Sequence, residues 1–194
     1  MRLGFDLDGV IADGKYLDLS KIPIGQDVYS LYQDLDPYEP ATVAIWNALC
    51  KDHDCWIITA RGSGKQSPFK NSLDSVIDWL QNRNFTLPRG IFTGVRKSDK
   101  TWLCQDMNLD MYIDDSPACF EAYNPTFSTR MLLMNNPLAR DNQEFKHPFI
   151  PRVNSWPELL GRIKHLEKSL QWELSEETYA RSTNSELHEP EPAL

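Results

Sequence analysis

Over the first ten positions apolar and polar residues alternate, with Leu3, Phe5 and Leu7 separated by Gly4, Asp6 and Asp8 and followed by Gly9. A period of two predicts a strand whose alternate side chains share a face, so Asp6 and Asp8 point the same way with Cα atoms roughly 7 Å apart. Gly9 ends the strand and frees the backbone to turn. Four further short apolar runs read as buried strands: Cys55–Thr59, Ile91–Thr93, Met111–Ile113 and Arg130–Met134. Between them the period lengthens. Helical spacing links Val43, Ile45, Trp46 and Leu49, then Phe69, Leu73, Val76, Ile77 and Leu80, and finally Trp156, Leu159, Leu160, Ile163, Leu166 and Leu170. A further helix is predicted over Lys97–Met107. Trp46, Trp79 and Trp156 sit on these stripes and are predicted core residues. Ser155 and Glu158 have the spacing of a capping box, with Pro157 tolerated in the first turn.

Strands alternating with helices predict right-handed crossovers and an α/β fold, a three-layer Rossmann-like parallel sheet of about five strands. Residues 14–39 break the rhythm with Pro23, Gly25 and Pro37, and hold at most a short helix within Val28–Leu35. This segment is predicted to be a minimal cap or flap on a domain spanning residues 1–172. From residue 173 the chain turns polar and acidic, which predicts a weakly ordered C-terminal tail over 173–194.

Composition narrows the partners. The 194 residues carry a net charge of −8, and the pI of about 5.0 argues against tight binding to nucleic acid or an anionic membrane, both of which need a basic footprint. Cys50, Cys55, Cys104 and Cys119 form no C-x-x-C pair, so no zinc or redox motif is indicated. Scattered cysteines suit a reducing compartment, the N-terminal apolar run is broken by Asp6 and Asp8, and no apolar run is long enough to span a bilayer. A cytoplasmic location is expected.

Ligands of parallel sheets bind at the carboxyl ends of the strands. The polar residues there are Asp6 and Asp8, Thr59, Lys97 or Lys100, and Asp114 with Asp115. An isolated Asp-x-Asp is equally compatible with a simple acidic turn. The set together is a kit for a hard cation and a phosphate: carboxylates for magnesium, a hydroxyl and an amine for phosphate oxygens.

These four stations resemble, in order, the four motifs of the haloacid dehalogenase superfamily. Asp6-Leu7-Asp8-Gly9-Val10 matches the first, Ile57-Ile58-Thr59-Ala60-Arg61 the second, Asp99-Lys100-Thr101 supplies the lysine of the third, and Tyr112-Ile113-Asp114-Asp115-Ser116-Pro117 matches the fourth. Leu132-Leu133-Met134-Asn135-Asn136-Pro137 and Arg152-Val153-Asn154-Ser155-Trp156 are similar to late features of the superfamily's 5'(3')-deoxyribonucleotidase-like branch. The short 14–39 segment and Ala60-Arg61-Gly62, which stands where the close nucleotidases have Thr-Ser-Pro, depart from that branch.

The resemblance implies a magnesium-dependent phosphomonoesterase. Asp6 would be the nucleophile, forming an aspartyl phosphate, and Asp8 the general acid and base. Asp6, the Asp8 backbone carbonyl and Asp114 would hold Mg2+, with Asp115 holding a metal-bound water. Thr59 and the Ala60 N–H would bind phosphate, Lys100 would offset its charge, and Arg61 would support the site. The expected substrate is a small phosphorylated metabolite or nucleotide. The alternatives are a macromolecular phosphate, on a polynucleotide 3'-end or a phosphoprotein, and a non-catalytic binding protein on the same fold. Oligomeric state is not encoded in these features.

Overall fold

β1 (Arg2–Phe5) lies at the middle of a sheet because it is apolar on both faces. β2 (Asp54–Ile58) and then β3 (Gly90–Phe92) extend the sheet on one side of it; β4 (Met111–Asp114), β5 (Arg130–Met134) and β6 (Arg152–Val153) extend it on the other. Every pairing is parallel, and the register sets Phe5 beside Ile57 and Ile113. The computed structural model describes residues 1–14, 28–62 and 72–185. Among the described residues the sheet is six-stranded, the five predicted apolar strands and one more. The additional strand, β6, has two residues, too few to show a period in the sequence.

The helices are α1 (Val28–Gln33), α2 (Thr42–Asp52), α3 (Ser72–Asn82), α4 (Lys97–Asp106), α5 (Arg140–Glu144) and α6 (Trp156–Ser185). Packing divides into two layers. On one face Phe5 meets Trp46 of α2 at 5.1 Å and stacks on Trp156 at 5.8 Å, while Trp46 and Trp79 of α3 both contact Phe85. All three tryptophans are fully buried, as their positions on the stripes predict. On the other face Ile58, Cys104 of α4, Leu109, Tyr112, Phe120, Met131 and Leu133 form a second core. Gly4 lies on this face, against Leu109 and Tyr112, where a larger side chain has no room.

The chain steps outward from β1 to β2 to β3, then crosses back to β4 on the far side of β1. Winding therefore reverses between β1 and β4. In doubly wound sheets this reversal opens a crevice at the carboxyl ends of the two strands.

Residues 15–27 of the expected cap lie outside the described residues. Its second half is tied to α3 and the residue that follows it: Gln33 Nε2 donates to Ser75 O at 2.8 Å, Trp79 Nε1 donates to Leu35 O at 2.9 Å, and Arg83 Nη2 donates to Gln33 O at 2.5 Å.

The chain divides into two compact units, Met1–Pro157 and Glu158–Leu194. The second unit is the body of α6, with Leu159, Ile163 and Leu166 of the predicted stripe buried. The helix continues through the acidic segment to Ser185, where Glu, Gln, Leu and Ala supply good helix formers. Residues 186–194 of the expected tail lie outside the described residues.

Candidate active site

The site begins where β1 stops. Asp6 N still donates to Ile113 O at 2.8 Å, after which the backbone folds into a tight loop: Ile11 N and Ala12 N both donate to Leu7 O, and Gly9 N donates back to Ala12 O. Gly9 adopts φ +82°, a conformation that only glycine enters cheaply. Its open face is also required, because a Cβ at this position would overlap the Asp115 carboxylate. The first and fourth motifs thus meet through a glycine.

Lys100 reaches this loop from α4. It is the fourth residue of the helix, one turn in from Lys97, which is exposed while Lys100 is fully buried. Its Nζ lies 2.9 Å from Asp6 Oδ1 and 2.8 Å from Asp114 Oδ2. Of the two lysines that the sequence offers, the structure brings Lys100 to the carboxylates.

Asp114, also fully buried, is densely hydrogen-bonded. Oδ2 accepts from Lys100 at 2.8 Å and from the Tyr112 hydroxyl at 2.6 Å, and Oδ1 accepts from Ser116 N at 2.8 Å. Burial alone would raise its pKa, but the Lys100 charge and these donors hold it below the ordinary carboxylate range. Asp6 is the opposite case. Burial first, and then the Asp114 charge, push its pKa well above the usual value, against the pull of Lys100. Its Oδ1 is buried with no hydrogen-bond donor aligned on it among the described residues. Burial disfavours the Lys100 charge, yet Asp114 and Asp6 together raise its pKa and keep it protonated.

Asp115 completes the cluster. One ligand atom each from Asp6, Asp114 and Asp115 lies within 4.8 Å of the others. Burial, followed by the Asp114 charge, pushes the Asp115 pKa up to about 7 although Asn136 Nδ2 donates to its Oδ2 at 2.9 Å. Among the described residues, one ammonium, Lys100, pairs with two of these three carboxylates, an arrangement short of positive charge. These three carboxylates could hold a divalent cation, which would supply the missing charge. The resemblance assigns Asp115 to a metal-bound water; here its carboxylate stands in the same cluster as the other two.

The Asp8 side chain lies apart from that cluster. Arg61 takes both of its oxygens, Nε to Oδ2 at 2.8 Å and Nη2 to Oδ1 at 2.6 Å. The Arg61 guanidinium also lies over the Tyr32 ring, 4.2 Å from its centroid. Tyr32 is buried beneath it, and burial, with the Asp8 charge, pushes its hydroxyl up to about 12. Tyr32 thus packs on the arginine at the site's edge; the side chain of Tyr29 lies outside the described residues. Thr59 is buried at the end of β2, and its Oγ1 accepts from Arg61 N at 3.2 Å. Ala60 follows, half-buried.

Several residues around the acids escaped the sequence reading. Tyr112 sits inside a strand, where an aromatic reads as core, and its hydroxyl nonetheless serves Asp114. Asn136 and Asn142 reach Asp115 from the segment after β5, Asn142 Nδ2 donating to Asp115 O at 2.6 Å. The strand-end rule, extended to β5, would have picked out Asn135 and Asn136. Nothing in the sequence marks Asn142, which lies on the five-residue α5.

No protein-family model matches the chain. It is similar to a Bacillus cereus protein described as "Putative nucleotidase", 23% identical over 203 residues that cover 84% of this chain and 98% of that protein. The crystal structure of a dehalogenase with intermediate complex is 15% identical, with a TM-score of 0.45, over 67% of this chain and 57% of the dehalogenase chain.

Proposed function

We propose that this protein is a magnesium-dependent phosphomonoesterase of the haloacid dehalogenase superfamily that works through an aspartyl-phosphate intermediate. The observation that carries the reading is Lys100, fully buried between Asp6 and Asp114 at the point where the sheet reverses its winding. A buried ammonium between two carboxylates, with a third carboxylate adjoining, suits the binding of a group that brings both negative charge and a metal.

Asp6 is the nucleophile. Its oxygen attacks phosphorus, the bond to the leaving alkoxide breaks, and an acyl phosphate forms on Asp6; water then attacks phosphorus and releases inorganic phosphate. Asp8 hands a proton to the leaving oxygen and takes one from the water. Lys100 offsets charge on the transferring phosphoryl group, while Thr59 and the Ala60 N–H hold its oxygens. Asp6, Asp114, Asp115 and the Asp8 carbonyl would hold Mg2+. When bound, the ion would neutralise phosphate charge and let an anionic nucleophile approach an anionic substrate.

The similarity, over 84% of this chain, to a protein described as "Putative nucleotidase" supports a small phosphate ester, and makes nucleoside monophosphates the first candidates. The test is hydrolysis of p-nitrophenyl phosphate by the purified chain, with and without magnesium, followed by a panel of nucleoside monophosphates and sugar phosphates. Magnesium-dependent phosphate release that Asp6→Asn abolishes is expected. Absence of release from every ester would overturn the reading.

A further inference from the structure

We infer that Asn136 and Asn142 are positioning residues which clamp Asp115 into the acidic cluster and thereby set the protein's affinity for a divalent cation. The inference rests on the proposed reading of that cluster as a metal site.

The two asparagines hold different parts of one residue. Asn136 Nδ2 donates to the Asp115 carboxylate, at 2.9 Å from Oδ2, and Asn142 Nδ2 donates to the Asp115 carbonyl at 2.6 Å. Side-chain rotation and backbone displacement of Asp115 are thus restrained separately. The clamp is itself anchored. Asn142 is fully buried, its Nδ2 also donates to Met134 O at 2.8 Å, and its Oδ1 accepts from Asn136 N at 3.1 Å, so the asparagines fix each other at the end of β5. Arg152 of β6 closes the network. Its Nη1 donates to Asn142 Oδ1 and, at 3.1 Å, to Asn135 Oδ1, while Nη2 donates to Asn142 O at 2.5 Å. A chain of hydrogen bonds therefore runs from the last strand to the acidic cluster.

Such an arrangement has a use. Asp115 is crowded by Asp114 and Asp6, and free rotation would let its carboxylate swing away from both. Hydrogen-bond partners that orient a ligand typically change metal affinity by roughly 10- to 100-fold without touching the metal. Gly9 bounds the Asp115 carboxylate on another side, since even a methyl group there would overlap it. The carboxylate is held by packing as well as by the amide.

The experiment is a double-mutant cycle on the full chain, read by magnesium titration calorimetry and by melting temperature in EDTA. Wild type, Asn136→Ala, Asp115→Asn and the double variant are compared. Asn136→Ala is expected to weaken magnesium binding about tenfold with little change in the metal-free melting temperature, and to have no further effect once Asp115 is Asn. Asn142→Ala should weaken binding in the same direction, and the Asn136 cycle stands on its own if that variant fails to fold. Magnesium affinity within twofold of wild type in Asn136→Ala, or the same loss in the Asp115→Asn background, would overturn the inference while leaving the metal site intact. A wild-type chain that binds no magnesium would overturn both.

Discussion

Arg61 grips Asp8 by both carboxylate oxygens, at 2.8 and 2.6 Å, while its guanidinium rests on the ring of Tyr32. This two-pronged pair occupies both Asp8 oxygens, whereas the proposed chemistry needs one of them free to pass a proton to the leaving group. The grip must therefore loosen in the cycle. Arg61 has the means, because its Nη1 is buried without a hydrogen-bond partner among the described residues. A phosphate oxygen would satisfy that N–H and draw charge away from Asp8. Removing Arg61 is expected to lower kcat/KM on a phosphate ester by about 100-fold, the scale of one lost transition-state donor. Arg61→Lys should recover part of the loss, since lysine keeps the charge but not the fork. Steady-state kinetics of Arg61→Ala and Arg61→Lys decide it; rates like those of wild type would reduce Arg61 to a structural ion pair.

Gly9 gives a second, sharper prediction. At φ +82° an alanine pays the left-handed penalty, and its methyl group meets the Asp115 carboxylate. Backbone strain alone is about 1–2 kcal/mol, or roughly 2–8 °C of melting temperature for a chain of this size. Gly9→Ala should lose at least that much and should also displace Asp115, weakening magnesium binding. Thermal denaturation with and without magnesium measures both effects. A variant that melts and binds metal as wild type does would contradict the packing.

The strands and the core could be read from the sequence because periodicity reports burial directly. Arg130–Met134 is both the predicted and the observed strand, and the three tryptophans on helical stripes are core. Asp6, Asp8, Thr59, Lys100, Asp114 and Asp115 stand out as candidates because each lies at or just after the end of a strand, or near the start of a helix, at the sheet's carboxyl end. What could not be read is partner choice. Arg61 looks identical in sequence whether it holds Asp8, substrate or solvent. Lys97 and Lys100 stand one turn apart on α4 and look equivalent in the sequence, yet Lys97 is exposed and Lys100 buried. Asn142 lies on a short helix with no period, and its importance comes from Arg152 and Asp115, neighbours distant along the chain.

Magnesium should matter more as pH rises. Burial and the Asp114 charge place the Asp115 pKa at about 7 in the folded protein, against an ordinary value of 3.8, and Asp6 is raised in the same direction. Below the ordinary value these groups are protonated in both states and cost nothing. Between it and the folded value the unfolded chain has released its proton while the fold retains it, so stability falls as pH rises, and the cost is complete above about 7 for Asp115. A cation bound to the ionised carboxylates would remove that cost. At a hundred times its Kd a ligand adds about 2.7 kcal/mol, or roughly 5–10 °C. The difference in melting temperature between magnesium and EDTA should approach this at pH 8 and be much smaller at pH 5. A difference that is constant with pH, or larger in acid, would show that these carboxylates do not bind the ion.

Asp6 and Asp114 lie on either side of the same ammonium, yet their isosteric amides should move stability in opposite directions. In Asp6 the charged form is disfavoured: burial and the charge of Asp114 outweigh the attraction of Lys100, and Oδ1 lacks an aligned donor. Asp6→Asn removes that penalty and should raise the metal-free melting temperature by a few degrees, about 2–4 °C per kcal/mol relieved. In Asp114 the charged form is favoured by Lys100, Tyr112 and Ser116. Asp114→Asn leaves the buried Lys100 with less compensation, brings amide hydrogens against donors, and should lower the melting temperature. Both variants should lose activity, Asp6→Asn by on the order of a thousandfold or more because the proposed nucleophile itself is gone. The comparison is made in EDTA by calorimetry and in magnesium by phosphate release. Destabilisation by Asp6→Asn equal to that by Asp114→Asn would mean that the two acids are held alike. Opposite shifts with a common loss of turnover are what the proposed roles require, a nucleophile whose charge is disfavoured beside a metal ligand anchored by hydrogen bonds.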